Sequence, residues 1–352
     1  MKEKLQVPAL KVEDWPERDS ALWMAACKSA GVFDEAGFAA NWRPATVQSV
    51  QRGYGIYLSW LSQARGLDPT AVPIERVDHQ LIKRFIEAYA PGRAEITVAG
   101  TVRGIAYVVR ATNPPDGLPW LTRLAHRMTN EAQPSRPKLP RMATVPELIG
   151  LGWHLMQRGG SNLQLGKASG AQWFRDGLMI VSLATRPELR RCNLSALRIN
   201  HSLLRDPIGF RVRFPGKETK KNRPMDFRFP DRLTGPFEVY IDAIRPLLMS
   251  KAHGPDEGWL WIGRRGKPLQ PNDITQNISN TTMRHLGRPI SPHLFRDCAA
   301  TDIALHIPEH IGITKSVLGH ATLASSQKFY NQATSFTAVG RLDAVITGLR
   351  ED

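Results

Sequence analysis

The residues of this chain that can do chemistry are concentrated in the stretch 291–330. A helical pattern begins there, and His293 and Arg296 lie on one face of it because residues three apart on a helix are neighbours. His320 follows a Leu-Gly pair whose glycine predicts the end of a second helix. Tyr330 lies further on, in a polar segment that is compatible with helix. Together these side chains could bind a phosphate group and attack it with a phenol.

The same residues form an ordered series of short motifs. H-x-x-R spans His293–Arg296, L-G-H spans Leu318–His320, and Tyr330 follows. The series resembles the C-terminal signature of the tyrosine recombinases, the phage-integrase family. Either motif alone is nonspecific, whereas the ordered series near the C-terminus of a basic chain is specific. The resemblance covers residues 145–332 closely and the preceding residues in outline.

A further arginine of the family signature lies upstream. Arg190 begins the pattern R-x-x-N-L-x-x-L, and the family places a phosphate-binding arginine at the start of R-x-x-E-L-x-x-L. The resemblance therefore implies this role for Arg190, since it alone has the downstream leucines in register, although Arg186, Arg191 and Arg198 compete for it. Asn193 replaces the commoner glutamate, which leaves open what this position contacts.

A catalytic lysine is expected on a β-hairpin. Residues 210–214 and 224–229 alternate apolar and charged side chains, a pattern typical of strands, and the polar turn GKETKKNR joins them. The resemblance implies that this turn carries the lysine. Lys220 aligns best, Lys221 is its rival, and Lys217 is a more distant alternative.

The resemblance gives two of these residues the bond-making and bond-breaking roles. Tyr330 would attack a DNA phosphodiester and become covalently attached to the DNA. Lys220 would protonate the departing 5′-oxygen. Because a phenol, with a pKa of about 10, leaves more easily than a sugar hydroxyl, a DNA 5′-hydroxyl can displace Tyr330 again. Rejoining is therefore expected to need no ATP.

The remaining members of the set would stabilise charge. Arg190 and Arg296 can each present a planar fork to phosphate oxygens. His320 can add a hydrogen bond to the same oxygens, and His293 has a pKa suited to moving the proton of the tyrosine hydroxyl. No cluster of acidic residues with metal-ligand spacing accompanies them. We therefore expect neither a catalytic metal nor another cofactor.

The composition indicates a nucleic-acid partner and a cytoplasmic location. The chain has 352 residues and a net charge of +15, and basic residues outnumber acidic ones both before and after Thr144. Double-stranded DNA touching both halves accounts for this excess, and a merely soluble basic protein is the alternative. No membrane span or signal peptide is evident. Cys27, Cys192 and Cys298 form no metal pattern and are expected to be reduced thiols in a nucleoid-associated protein.

Apolar periodicity predicts a mainly α-helical fold with a small β-hairpin in the second domain. Residues 1–132 are expected to form a helical bundle, which the resemblance equates with a DNA-binding, core-binding domain. Residues 133–144 form a basic Pro-rich linker, and residues 145–352 form the catalytic domain. An apolar stripe at 336–349 predicts a last helix, which against its own domain would be ordinary core. The resemblance implies that this helix instead docks on a neighbouring subunit and holds subunits together.

Individual elements are also predicted. Helices are expected at about 21–29, 45–64, 78–89, 96–111, 118–131, 170–185, 231–250 and 272–286. Thr144 and Glu147 form a capping box at the start of a further helix. The helix at 170–185 is apolar almost all round and should be the buried centre of its domain. GWLWIG is either a short strand or a turn.

Basic side chains outside the catalytic set are expected to contact DNA phosphates. The prolines of the linker favour extended chain, so its cations could line a duplex, although a solvated spacer is the alternative. The charged hairpin turn is likewise either a DNA contact or a solvated face. The predicted contacts are Arg136, Lys138, Arg141, Lys217, Lys221 and Arg223.

Three functions fit these observations. The first is a site-specific recombinase, acting as integrase or transposase of a mobile element. It would bind double-stranded DNA at specific recombination sites as a homo-tetramer on synapsed DNA, as a monomer or dimer off DNA, with accessory proteins as further partners. The second is a type IB topoisomerase-like nicking-closing enzyme that works as a monomer. The third is a DNA-binding protein without catalysis, against which the intact six-residue set argues.

Overall fold

The computed structural model of the chain describes residues 5–31, 35–114, 117–219 and 222–306. These residues form two compact units that divide after Pro137, within the segment 133–144 that was expected to be a linker. Among the described residues, no helix combines the length and the apolar character that crossing a membrane requires.

The first unit is a helical bundle, as its periodicity predicted. Its helices are α1 (Glu17–Cys27), α2 (Pro44–Arg65), α3 (His79–Tyr89), α4 (Glu95–Thr112) and α5 (Pro119–Glu131). Aromatic side chains fill its core, with Tyr54, Tyr57 and Phe85 each at 0% exposure. Helices α2 and α4 approach closely at a pair of glycines, because a Cβ on Gly104 would lie 2.9 Å from the Gly53 Cα.

A buried polar network joins α1 to α2 and to the segment before α3. The Tyr54 hydroxyl donates to the Asp19 carboxylate at 2.7 Å. The Arg76 guanidinium donates to the same carboxylate through Nε at 3.0 Å and, through Nη2, to the Asp68 and Ala71 carbonyls. Burial raises the pKa of Asp19, and its hydrogen bond with Tyr54 and the charge of Arg76 oppose the rise. Each buried polar group here therefore has a partner, as buried groups require.

The second unit is mainly helical with one small antiparallel sheet. Its helices are α6 (Val145–Gln164), α7 (Ser169–Thr185), α8 (Arg191–Ser195), α9 (Thr234–Val239), α10 (Arg245–Met249), α11 (Pro271–Leu286) and α12 (Pro292–His306). Its strands, in the order β1-β2-β3, are β1 (Leu203–Asp206), β2 (Gly209–Phe214) and β3 (Met225–Arg228). The fold class predicted from the sequence is confirmed.

The sheet contains one strand more than the sequence predicted. Strands β2 and β3 are the expected hairpin, paired Val212 to Phe227. Strand β1 precedes them and pairs Leu203 with Val212. It was missed because four residues, half of them charged, are too short to show an alternating pattern.

Helices α6 and α7 form the centre of the second unit. The capping box at Thr144 and Glu147 is present as predicted, with the Glu147 carboxylate accepting from the Thr144 amide at 2.7 Å. Helix α7 is buried as predicted, and Leu178 and Ile180 have 0% exposure. The two helices touch at glycine, since a Cβ on Gly177 would lie 2.5 Å from a carbonyl oxygen of α6.

The predicted continuous helix at 231–250 is interrupted. Its middle, Tyr240–Ile244, is a π-helical turn between α9 and α10. Pro246 explains the wide turn, because a proline ring clashes with the carbonyl four residues earlier and donates no hydrogen bond. The GWLWIG segment makes isolated β-bridges, among them Arg198 with Trp259.

Candidate active site

Arg190 is placed by the loop between α7 and α8. It is the N-cap residue of α8, with extended backbone angles, and its side chain is half-buried. The leucines that define its pattern, Leu194 and Leu197, have 0% exposure and anchor the segment in the core. Within the described part of the chain, its guanidinium has no hydrogen-bond or ion-pair partner.

The three arginines that competed with Arg190 are all engaged elsewhere. Arg186 donates to the Arg228 carbonyl at 2.5 Å. Arg191 is exposed and donates to the Asn272 side chain at 3.3 Å. Arg198 donates to the Glu257 carbonyl and stacks over Trp259.

Arg296 lies in the second turn of α12 and is 5% exposed. Its Nη1 donates to the Pro187 carbonyl at 2.7 Å, which ties α12 to the loop that carries Arg190. Burial, and next the charge of Arg190, lower the pKa of Arg296 to about 10, while Glu188 and Asp297 oppose the shift. Residues far apart in the sequence therefore form a pair of neighbouring guanidinium groups, an arrangement that favours binding of an anion.

His293 lies one turn before Arg296 on α12, and its side chain reaches the surface. Desolvation lowers its pKa; Lys138, Arg296 and Arg190 act in the same direction, and Asp297 opposes them. The neutral imidazole is therefore favoured at pH 7. A neutral histidine beside two arginines can accept a proton or a hydrogen bond.

The turn expected to carry the catalytic lysine is held at its base by Thr219. This side chain is 8% exposed; it donates to the Arg223 carbonyl at 2.6 Å and accepts from the Arg223 amide at 3.1 Å. Asn222 occupies a left-handed backbone conformation, with φ at +51°. Lys217 and Arg223 are exposed at the two ends of the turn.

Asn193 connects α8 to that turn. It is 5% exposed, and its Nδ2 donates a long hydrogen bond of 3.5 Å to the Glu218 carbonyl. The sequence left the contact of this position open. In the structure the amide links the helix that follows Arg190 to the residue just before Thr219.

The basic residues of the predicted linker have different surroundings. Arg136 is exposed. Lys138 forms an ion pair with Asp297 on α12, 2.7 Å between Nζ and Oδ2, and Arg141 donates to the Pro289 carbonyl at 3.1 Å. The chain from 139 to 141 is a short 3-10 turn rather than extended, because it packs on the second unit.

Several predicted functional residues lie outside the described part of the chain. They are Lys220, Lys221, His320, Tyr330 and the expected helix at 336–349. Among the residues that the structure does describe, no three or more His, Cys, Asp or Glu side chains are grouped as metal ligands would be.

Sequence reasoning missed two residues that surround the arginine pair. Asp297 is 4% exposed and influences both His293 and Arg296. Glu188 lies near Arg296, and burial raises its pKa. Asp297 could have been noticed as a charge within the apolar run PHLFRDCAA, where a buried acid needs a partner. Glu188 carries no comparable signal.

Comparison with known proteins gives partial sequence matches. No family model matches the chain. A tyrosine recombinase XerC from Azotobacter vinelandii is 30% identical over 87 residues, which are 24% of this chain and 29% of the relative. A XerC from Pseudomonas aeruginosa is 34% identical over 90 residues, 25% of this chain and 28% of the relative. A XerD from Chlamydia pneumoniae is 26% identical over 161 residues, 46% and 49% of the two chains. The matched part of this chain thus spans less than half of the length of each of these three relatives.

Solved structures match over a larger part of the chain. A XerH site-specific recombinase bound to a palindromic difH substrate, in a post-cleavage complex, has a TM-score of 0.52 and 12% identity. The match covers 93% of this chain and 94% of that one. A pre-cleavage XerH complex with difH has a TM-score of 0.50 and 13% identity, with 82% and 77% coverage. At this identity the likeness establishes a shared fold.

Proposed function

We propose that this chain, which belongs to the tyrosine recombinase family, is a site-specific recombinase that cleaves and rejoins double-stranded DNA through a 3′-phosphotyrosyl intermediate. The observation that carries the proposal is the pair of neighbouring arginines, Arg190 and Arg296, beside a neutral His293. A pair of like charges in a partly buried place is unfavourable without an anion. A DNA phosphate bound between them would remove that repulsion.

Charge stabilisation would be the main task of the arginine pair. As Tyr330 attacks, the phosphorus becomes five-coordinate and its non-bridging oxygens gain negative charge. Arg190 and Arg296 would hold these oxygens through charge-assisted hydrogen bonds, joined by His320. Because Arg296 is fixed to the Pro187 carbonyl, its guanidinium needs little reorganisation during the reaction.

The proton transfers would be divided between two other groups. A bond forms between the Tyr330 oxygen and phosphorus, and the bond from phosphorus to the 5′-oxygen breaks. His293, neutral at pH 7, would receive the phenol proton directly or through water. Lys220, with Lys221 as the alternative, would give a proton to the departing 5′-oxygen. In the reverse direction a 5′-hydroxyl displaces Tyr330, so the energy of the phosphodiester is conserved without ATP or a metal.

Covalent trapping tests this assignment. A suicide DNA substrate, nicked beside the cleavage point, loses its 5′-fragment and should leave the wild-type protein attached to the DNA. Tyr330→Phe should give no adduct while it binds DNA as tightly as wild type. Tyr107→Phe removes the hydroxyl of a half-buried tyrosine in the first unit and should react normally.

An adduct that persists in Tyr330→Phe would show that another residue is the nucleophile. The lysine assignment has its own test, because a 5′-bridging phosphorothiolate needs little protonation as it departs. That substrate should restore cleavage by Lys220→Ala and not by Arg190→Ala. Restoration of Lys221→Ala instead would transfer the role to its neighbour.

The biological substrate is a finer part of the proposal. We infer from the family resemblance that the enzyme acts as an integrase or transposase on the ends of a mobile element, as a tetramer on synapsed sites, in the cytoplasm. Sequencing of the trapped adducts from cells should identify one short DNA site. Adducts spread over DNA without a preferred sequence, together with relaxation of any supercoiled plasmid, would instead favour a topoisomerase-like enzyme.

A further inference from the structure

Residues 138–147, which precede and begin α6, lie against the start of α12 at several points. We call this segment the brace. Lys138 forms its ion pair with Asp297, and Arg141 donates to the Pro289 carbonyl just before the helix. At the other end of the brace, Glu147 pairs with Arg288 at 2.5 Å.

The brace also contacts the body of α12. The buried Cys298 thiol is hydrogen-bonded to the backbone of Ala143, and burial raises the pKa of that thiol to about 11. Ala299 and Ala300, which follow Cys298 directly, pack against Val145. The first two turns of α12, which carry His293 and Arg296, are therefore fixed on one side by the brace.

The ion pair is the polar contact of the brace that lies nearest the arginine pair. Asp297 follows Arg296 directly, and its side chain is 6% exposed against 49% for Lys138. The ammonium approaches Oδ2 outside hydrogen-bond geometry, so the contact is an ion pair. A carboxylate this deeply buried requires a nearby cation, and Lys138 supplies it at the surface end.

We propose that Lys138 and Asp297 are positioning residues for the cleavage reaction, and that their ion pair holds the first turns of α12 so that His293 and Arg296 face the same phosphate as Arg190. This inference rests on the proposed function. It assigns Lys138 a task different from the DNA contact expected from its place in a basic linker. The lysine would act through α12 and not by touching DNA.

The charges around His293 give the inference a distinctive signature. The groups that influence it are Asp297, Lys138, Arg296 and Arg190. Lys138 is one of the cations that lower the pKa of His293, so removing its charge should raise that pKa. Removing the Asp297 charge should lower it. Simple loosening of the fold would raise the pKa towards its ordinary value in both variants, so the fall expected for the Asp297 variant is the result that separates the two explanations.

The test uses the full chain with Lys138→Met, Lys138→Arg and Asp297→Asn. At saturating suicide substrate, Lys138→Met should cleave about tenfold more slowly, since small displacements of catalytic groups are costly, while its Kd for DNA is unchanged. Lys138→Arg should restore the rate. Asp297→Asn should slow the reaction by itself. The double variant should be little slower than Lys138→Met, because both substitutions remove the same interaction.

A matched control is Lys167→Met, which removes the same charge from an exposed position between α6 and α7 and should change neither rate nor Kd. NMR titration of labelled histidine in the DNA-free protein should show the two opposite shifts of the His293 pKa. An unchanged saturated rate in Lys138→Met overturns the inference. So does weaker DNA binding with a salt slope smaller by about 0.9, the mark of a lost phosphate contact.

The same experiments separate this inference from the proposed function. If wild-type protein forms no adduct, the recombinase assignment fails, and the histidine titration still decides whether the ion pair acts on α12. If wild type forms the adduct and Lys138→Met matches it in rate and in the pKa of His293, only the role of the brace is refuted.

Discussion

Each unit of the molecule contains a buried arginine, and the two have opposite surroundings. Arg76 in the first unit is 6% exposed and Arg296 in the second is 5% exposed. Arg76 donates to the Asp19 carboxylate and to two backbone carbonyls. For Arg296 the largest effect of any neighbouring charge is the repulsion from Arg190. Equal burial therefore says nothing about the role of an arginine.

The difference teaches how structural and functional arginines can be told apart. A guanidinium neutralised by a buried carboxylate satisfies its own charge and stabilises the fold. A guanidinium beside a second one meets a repulsion that costs stability until an anion binds. The first type is expected to matter for folding, and the second for ligand binding and catalysis. The following variants test that division.

Arg76→Met should have the largest effect. It leaves the Asp19 carboxylate buried without its cation, so the free energy of unfolding should fall by about 3–5 kcal/mol. Urea denaturation of the full chain, followed by the fluorescence of its tryptophans, measures the loss. Arg84→Met on the surface of α3 is the control and should stay within about 0.5 kcal/mol of wild type. If Arg76→Met also stayed within that limit, the division between structural and functional arginines would be wrong.

Arg296→Met should have the opposite effect to Arg76→Met: it should slow the reaction and leave the stability of the fold unchanged. Cleavage of the suicide substrate should slow by about 10²–10³-fold, as for other lost transition-state donors, while the melting temperature does not fall. Relief of the repulsion from Arg190 would offset the lost bond to Pro187. Arg265→Met, an exposed change in the same unit, should cleave normally. A variant of Arg296 that unfolds at room temperature would place it in the structural class.

Arg190→Lys should have a smaller effect, because lysine keeps the charge and loses the planar fork. We expect cleavage about tenfold slower, equivalent to roughly 1.5 kcal/mol for one charged hydrogen bond. Arg191→Lys, next in the sequence and directed at Asn272, should be unaffected. Equal losses in both variants would mean that the loop, and not the Arg190 side chain, is what the reaction needs.

The smallest expected effect is on how the free energy of unfolding depends on pH. The pKa of His293 is lowered in the folded protein, so below about pH 6.5 the unfolded chain takes up this proton first. The contribution of His293 to stability is therefore present above that pH and is lost as pH falls through the folded pKa. His293→Gln should flatten the decline in unfolding free energy between about pH 6.5 and pH 5. An unaltered decline would show that the pKa of His293 is not lowered in the folded protein.

Much of the fold was predictable because it depends on local pattern. The helices of the first unit follow from apolar spacing, and the start of α6 follows from Thr144 and Glu147. Two elements were not predictable locally. Strand β1 is too short to carry a pattern, and the π turn at Tyr240–Ile244 depends on how a proline is accommodated inside a packed helix.

The candidate site shows the same division. The sequence by itself determined that His293 and Arg296 share a face of α12, because helical spacing requires it, and that Arg190 heads a segment anchored by leucines. Only the tertiary structure decided that Arg190 lies beside Arg296, that Asn193 reaches the lysine turn, and that Lys138 pairs with Asp297. These contacts join residues far apart in the chain, and their partners are set by how helices and loops pack, which no local pattern encodes.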